Sequence, residues 1–202
     1  MAIRVDLQAI AEMIEPGSRV LDVGCGDGEL LDFLAREKQV DGRGIELEQP
    51  AVRACLDRGL SVIQGNADTD LEEYPDAAFD YVVLSATLQA MLRPRETLVQ
   101  MLRIGRRSIV SFPNFGYWKV RLDLLLNGRM PVTPALPHQW YDTPNIHLCT
   151  TRDFVALCDE LGFVIERGLS IDAAGHARAV SGPGLPANLF GRLAVFLLHQ
   201  PD

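Results

Sequence analysis

The chain has 202 residues, of which 48% are apolar, enough for one well-packed α/β domain and too few for two. A formal net charge of −8 argues against general attraction to nucleic acid or an anionic membrane, and no apolar run approaches the roughly 20 residues of a spanning helix. Met1 to Asp6 lack the apolar core of a secretion signal, so the expectation is a cytoplasmic protein with neither a nucleic-acid nor a membrane partner.

In chain order, Val5, Leu7, Ile10, Ala11 and Ile14 describe a short amphipathic helix that Pro16 and Gly17 stop. A first strand is expected over 19–23, a helix over 29–37, and a second strand leading to Glu46. Pro50 suits a helix start before Ala51, and a third strand should end near Gly65. The nearly continuous apolar run 79–85 suits the buried centre of a parallel sheet. A helix from Pro94 to Leu102 and a strand over 107–112 follow, then a long interruption, a helix over 151–161, and strands over 163–166 and 193–198. The alternation predicts a single Rossmann-like domain with seven strands, mostly parallel, helices on both faces, and the last two strands antiparallel at the sheet edge. The connection 175–188, rich in Gly, Pro and Ala, reads as a long loop.

Cys25, Cys55, Cys149 and Cys158 have no paired spacing and read as reduced thiols. His138 and His147 with Cys149 lack the tight spacing of a zinc site, so no metal is expected. Arg93, Arg95, Arg103, Arg106 and Arg107 read as a solvated face.

The run Val20-Leu21-Asp22-Val23-Gly24-Cys25-Gly26-Asp27-Gly28 carries the chemistry. Alternating glycines after an apolar strand let the chain turn sharply and let a ligand approach main-chain amides. The spacing is not the Gly-x-Gly-x-x-Gly of a dinucleotide site, and Asp22 would repel a phosphate. S-adenosyl-L-methionine (SAM) has no phosphate; it brings a sulfonium, an ammonium and two ribose hydroxyls. Glu46 at the second strand end can accept those hydroxyls. Asp68 at the third can accept from an adenine amino group, with the Ala67 backbone at the ring edge. This ordered set resembles the class I SAM-dependent methyltransferases. That resemblance implies a site for SAM or S-adenosyl-L-homocysteine at Asp22, Gly24, Cys25, Gly26, Gly28, Glu46, Leu47, Ala67, Asp68 and Ser85.

Residues 113–150 hold five prolines, both tryptophans and two of the four tyrosines. Large rigid side chains anchor interfaces at low entropic cost, and the segment follows the fifth strand at the ligand-binding edge. It should cover an acceptor pocket or bind another protein through Asn114, Tyr117, Trp118, Trp140, Tyr141, Asp142 and His147.

The glycine loop, the run Ser111-Phe112-Pro113-Asn114-Phe115-Gly116-Tyr117-Trp118 and the run Trp140-Tyr141-Asp142-Thr143-Pro144-Asn145-Ile146-His147 together resemble the MetW family of methionine biosynthesis, over about residues 4–172. The resemblance implies a methyltransferase-like subunit that supports a homoserine O-acyltransferase (MetX). An active methyltransferase stays open as the alternative. For it, Ser85, Gln89, Asn114, Tyr117, Tyr141 and His147 are positioned as candidates, and no base and acceptor pair stands out.

Overall fold

The protein is described by a computed structural model covering residues 3–133, 136–180 and 185–201. Helix α1 (Val5–Met13) precedes β1 (Arg19–Val23), α2 (Glu29–Lys38), β2 (Asp41–Glu46), α3 (Gln49–Asp57) and β3 (Ser61–Gln64). Next come α4 (Ala67–Asp70), β4 (Phe79–Ser85), α5 (Pro94–Ile104), β5 (Gly105–Pro113) and α6 (Trp118–Asn127). The chain ends with α7 (Thr151–Leu161), β6 (Val164–Ile171), β7 (Ala177–Ala179), α8 (Leu185–Phe190) and β8 (Leu193–His199).

Local chemistry sets the helix ends. Pro50 and Pro94 occupy the first turns of α3 and α5, where a missing N–H costs nothing. Thr150 and Asp153 form a reciprocal capping box on α7, and Gly162 ends it at φ 71°.

The strands lie in the order β3-β2-β1-β4-β5-β8-β6-β7. β1 to β5 pair in parallel, whereas β8 runs antiparallel to both β5 and β6. The register places Asp22 beside both Gly44 and Val83, so the carboxyl ends of β1, β2 and β4 open onto one edge. One core layer joins Leu21, Ile45, Val82 and Phe112 to α5 and α7. The other joins Val20, Val83 and Ile109 to α1 and α2.

The sheet has eight strands rather than seven. The extra one, Ala177–Ala179, lies in the connection read as a loop and folds back antiparallel on β6. It takes the edge position beyond β6, while β8 pairs antiparallel with β5 on one side and β6 on the other. α8 occupies the same connection; its residues 181–184 fall outside the described residues. Among the described residues no helix is long and apolar enough to cross a membrane.

Candidate functional site

The glycine loop leaves β1 at the carboxyl edge. Its three glycines have positive φ and different surroundings. A Cβ on Gly24 would lie 2.9 Å from Thr87, and one on Gly28 would strike Leu60 and Cys55. A Cβ on Gly26 would meet nothing within 4 Å, so the middle of the loop faces open space.

Beneath it, Asp22 is only 2% exposed, and its Oδ1 has no hydrogen-bond partner among the described residues. Burial, reinforced by the charge of Glu46 and opposed by that of Arg4, pushes its carboxyl up to about 7. A buried carboxylate oxygen without a donor calls for a cation or a hydrogen-bond donor from a ligand.

Glu46 ends β2 and reaches across to the loop. Its Oε2 accepts the Gly26 N–H at 2.8 Å and its Oε1 accepts the Glu48 N–H at 2.9 Å. Each oxygen keeps a lone pair for a hydroxyl donor. Leu47 beside it is exposed, an apolar surface at the strand end.

The side chain of Cys25 points away from the open edge. It packs with Leu31, Val52, Cys55 and Val62, and burial raises its thiol far above the ordinary value. Only the main chain of Cys25 is therefore presented to a ligand. Asp68 is likewise engaged: its carboxylate accepts the N–H groups of Leu92 and Arg93 at 3.0 to 3.2 Å, clasping the start of α5. Ala67 opens α4, and Asn66 caps that turn by accepting the Asp68 N–H.

At the end of β4, Ser85 pairs in register with Ser111, whose hydroxyl lies 3.4 Å from that of Ser85. Gln89 is a buried hub. Its Nε2 donates to the Pro113 carbonyl at 3.0 Å, its main-chain carbonyl accepts the N–H groups of Ile146 and His147, and its side-chain Oε1 has no partner among the described residues. That brings the aromatic segment back over the strand ends.

The interface set needs correction. Asn114 is buried with every side-chain donor and acceptor engaged: Nδ2 donates to the carbonyls of Asn188 and Gly191, and Oδ1 accepts from Gly116 and Thr151. It is a structural knot, not a contact surface. Tyr117 is also buried, in a small cluster with Val120 and Leu136. Trp118 is partly exposed; Asp142 and His147 are exposed. Trp140 and Tyr141 are 72% and 73% exposed and meet edge to face at 5.6 Å. Pro134 and Ala135 of this segment lie outside the described residues.

Sequence reasoning missed the outward face of α6. Trp118, Leu122, Leu125 and Leu126, at i, i+4, i+7 and i+8, share one side of the helix and are exposed, Leu125 by 79%. The buried residue of the helix is Val120.

Two further features carry no site. A hollow of about 680 Å³ lined by Arg19, Arg43, Ile63 and Phe79 reaches the starts of β1 and β4, away from the glycine loop, and contains none of the orphaned buried polar atoms found among the described residues. Arg95, Arg103 and Arg107 pair with Glu160, Asp76 and Glu166. Among the described residues no three His, Cys, Asp or Glu side chains gather as metal ligands.

The family profile described as "Methionine biosynthesis protein MetW" matches residues 4–198. The chain belongs to the MetW family. It is 35% identical over its whole length to the bifunctional methionine biosynthesis protein MetXA/MetW of Rhodopirellula baltica, and it spans 34% of that protein. A SAM-dependent methyltransferase from Thermotoga maritima superposes with a TM-score of 0.71 at 17% identity, covering 98% of this chain and 88% of that one. Another, from Archaeoglobus fulgidus, gives 0.68 at 18%, covering 95% and 90%. These likenesses establish the MetW family's Rossmann-like methyltransferase fold for this chain.

Proposed function

We propose that the chain is an accessory subunit that supports a homoserine O-acyltransferase in methionine biosynthesis, and that its glycine-loop site binds SAM or S-adenosyl-L-homocysteine. The observation that carries the partnership is the outward apolar face of α6, to which the exposed Trp140–Tyr141 pair adds a second apolar patch; surfaces of this kind mark protein contacts. The name of the Rhodopirellula relative supports the choice of partner, since it unites MetXA and MetW in one protein of which this chain matches about a third.

The residues at the strand ends fit SAM. Asp22 offers an orphaned buried oxygen to an ammonium, Glu46 has lone pairs for ribose hydroxyls, and Leu47 offers an apolar surface to adenine. Gly26 leaves room for the ligand to approach the loop. When bound, SAM supplies an electrophilic methyl group. Using it requires an aligned acceptor and often a base. Asn114 is buried in structural hydrogen bonds, Gln89 is buried and held through its Nε2 while its Oε1 has no partner among the described residues, and Tyr141 and His147 lie exposed on the aromatic segment. This favours a ligand-responsive subunit over a methyltransferase. A ligand that binds one conformer better shifts the population, and with it the partner's state.

The test is the rate of a homoserine O-acyltransferase from the same source, with and without this chain and with and without SAM. A higher rate on adding the chain supports the accessory role, and dependence on SAM makes it a sensor. No change in any of the four conditions returns the methyltransferase reading to first place.

A further inference from the structure

A hollow of about 440 Å³ lies between the β6–β7 hairpin, α8 and the start of α6. Pro113, Leu193 and Ile171 pair in one row across β5, β8 and β6, so this hollow sits at the end of β6, on the same edge as the glycine loop. β6 is nevertheless four strands from β1, and no residue of the glycine loop lines the hollow. Its volume falls within the roughly 300 to 1,000 Å³ of small-molecule sites.

Hairpin register decides what faces it. Ser170 pairs with Arg178, and strand alternation puts Asp172 on the same face as Ser170. All three line the hollow. α8 closes over that face: the Ser170 hydroxyl meets the Ala187 carbonyl at 3.5 Å, and a Cβ on Gly191 would strike Ser170. Asp172 and Arg178 are diagonal neighbours across the hairpin, a separation of about 7 to 8 Å in an ordinary sheet, and they do not pair with each other. Oδ1 of Asp172 accepts the N–H groups of His176 and Ala174 at 3.0 and 2.8 Å, which hold its carboxyl below the usual carboxylate range and keep it charged. Oδ2 has only the exposed His176 ring, 3.4 Å away. The exposed Arg178 guanidinium makes no ion pair or hydrogen bond among the described residues.

The remaining wall is apolar, with the rings of Tyr117, Trp118 and Phe190. Trp118 and Phe190 are partly exposed, by 37% and 56%, so apolar surface is left for a ligand to cover. An anion and a cation on one face, unpaired with each other and beside aromatic rings, are complementary to a zwitterion that carries an apolar side chain. We propose that this hollow binds a free apolar α-amino acid, its carboxylate on Arg178, its ammonium on Asp172 Oδ2 and its side chain against Trp118 and Phe190. The site is separate from the glycine loop and stands whether or not SAM binds there. Trp118 also begins the outward apolar face of α6, so an occupant touches the surface offered to a protein partner.

The probe is methionine, whose thioether side chain is apolar, titrated by calorimetry into the full chain. Three analogues each remove one feature: methioninamide the carboxylate charge, N-acetylmethionine the ammonium, and glycine the side chain. Each should bind at least roughly tenfold more weakly than methionine, the scale of a lost charged hydrogen bond or a buried side chain. Arg178→Gln should weaken methionine by a similar factor and remove its advantage over methioninamide. Asp172→Asn keeps an acceptor for the turn and should remove the advantage over N-acetylmethionine; thermal melts check that both variants fold. In Trp140→Phe, Trp118 is the one tryptophan left, and its emission should shift as methionine saturates the chain. No binding at about 10 mM methionine overturns the proposal, as does unchanged affinity in folded Arg178→Gln. Binding without a change in Trp118 emission places the ligand elsewhere and overturns it too. N-acetylmethionine binding as well as methionine would make the occupant a peptide's carboxyl terminus and also overturn the free amino acid.

Discussion

The Glu46 carboxylate accepts the main-chain N–H of Gly26 at 2.8 Å, tying the end of β2 to the middle of the glycine loop. Glu46→Ala therefore removes a loop restraint as well as a hydroxyl acceptor. SAM affinity should fall by about 1 to 3 kcal/mol, and the Gly26 amide should exchange faster with solvent. Calorimetry and hydrogen exchange separate the two effects. Unchanged affinity would mean that the ribose lies elsewhere.

Gly26 and Gly28 should respond differently to the same substitution. Gly26→Val projects into open space and costs chiefly its left-handed φ of 56°, about 1 to 2 kcal/mol. The protein should stay folded and lose SAM. Gly28→Val drives a side chain into Leu60 and Cys55 and should destabilise the fold itself. Thermal melts alongside ligand titration distinguish the two, and normal SAM binding by folded Gly26→Val would remove the loop from the site.

Asp22 should make binding depend on pH. In the free protein its carboxyl is raised to about 7 from an ordinary value of 3.8. Between those values the folded state holds a proton that the unfolded chain has released, so this group lowers stability as pH rises from 4 to 7. An ammonium at Asp22 favours the ionised form, so binding at pH 6 should release protons, and affinity should rise as pH passes through 7. Titrations in buffers of different ionisation enthalpy measure the release. Asp22→Asn should abolish it and flatten the decline in stability between pH 4 and 7.

Asn114, directly after β5, ties together the turn before α6, the start of α7 and the end of α8 through four side-chain hydrogen bonds. Asn114→Ala leaves buried main-chain groups unpaired and should cost about 2 to 4 kcal/mol in urea unfolding. A loss well below that would mean water or a local shift replaces those bonds.

The parts of the fold legible in the sequence are those whose stability is local. α7 runs from Thr151 to Leu161 as expected, because a capping box and a terminal glycine fix both ends within one short stretch. β4 was legible as a nearly continuous apolar run. β7 was not, because Ala177, Arg178 and Ala179 have no strand pattern and owe their conformation to pairing with Leu169, Ser170 and Ile171. Asn114 was misread for the same reason: two of its partners lie 74 and 77 residues further along. Among the candidate site residues, Asp22 and Glu46 were legible from their places at strand ends, while the Asp68 clasp on Leu92 and Arg93 depends on how the start of α5 meets the turn after β3.

The apolar face of α6 gives the sharpest test of the partnership. Leu122, Leu125 and Leu126 are exposed, so a carboxylate at Leu125 or Leu126 disturbs no core contact and should change stability by no more than about 0.5 kcal/mol. Buried in an apolar groove of a partner, the same carboxylate would be desolvated without a counter-ion. Leu125→Glu combined with Leu126→Glu should therefore leave the melting temperature and SAM binding unchanged and abolish both complex formation and stimulation of the acyltransferase. Trp140→Ala should weaken the complex by about 2 kcal/mol or more if the tryptophan is an anchor. Pull-down with the purified acyltransferase, followed by its rate at increasing concentrations of each variant, reads both effects. Full stimulation by the double glutamate variant would move the interface away from α6 and leave Trp140 and Tyr141 to be tested as the contact surface.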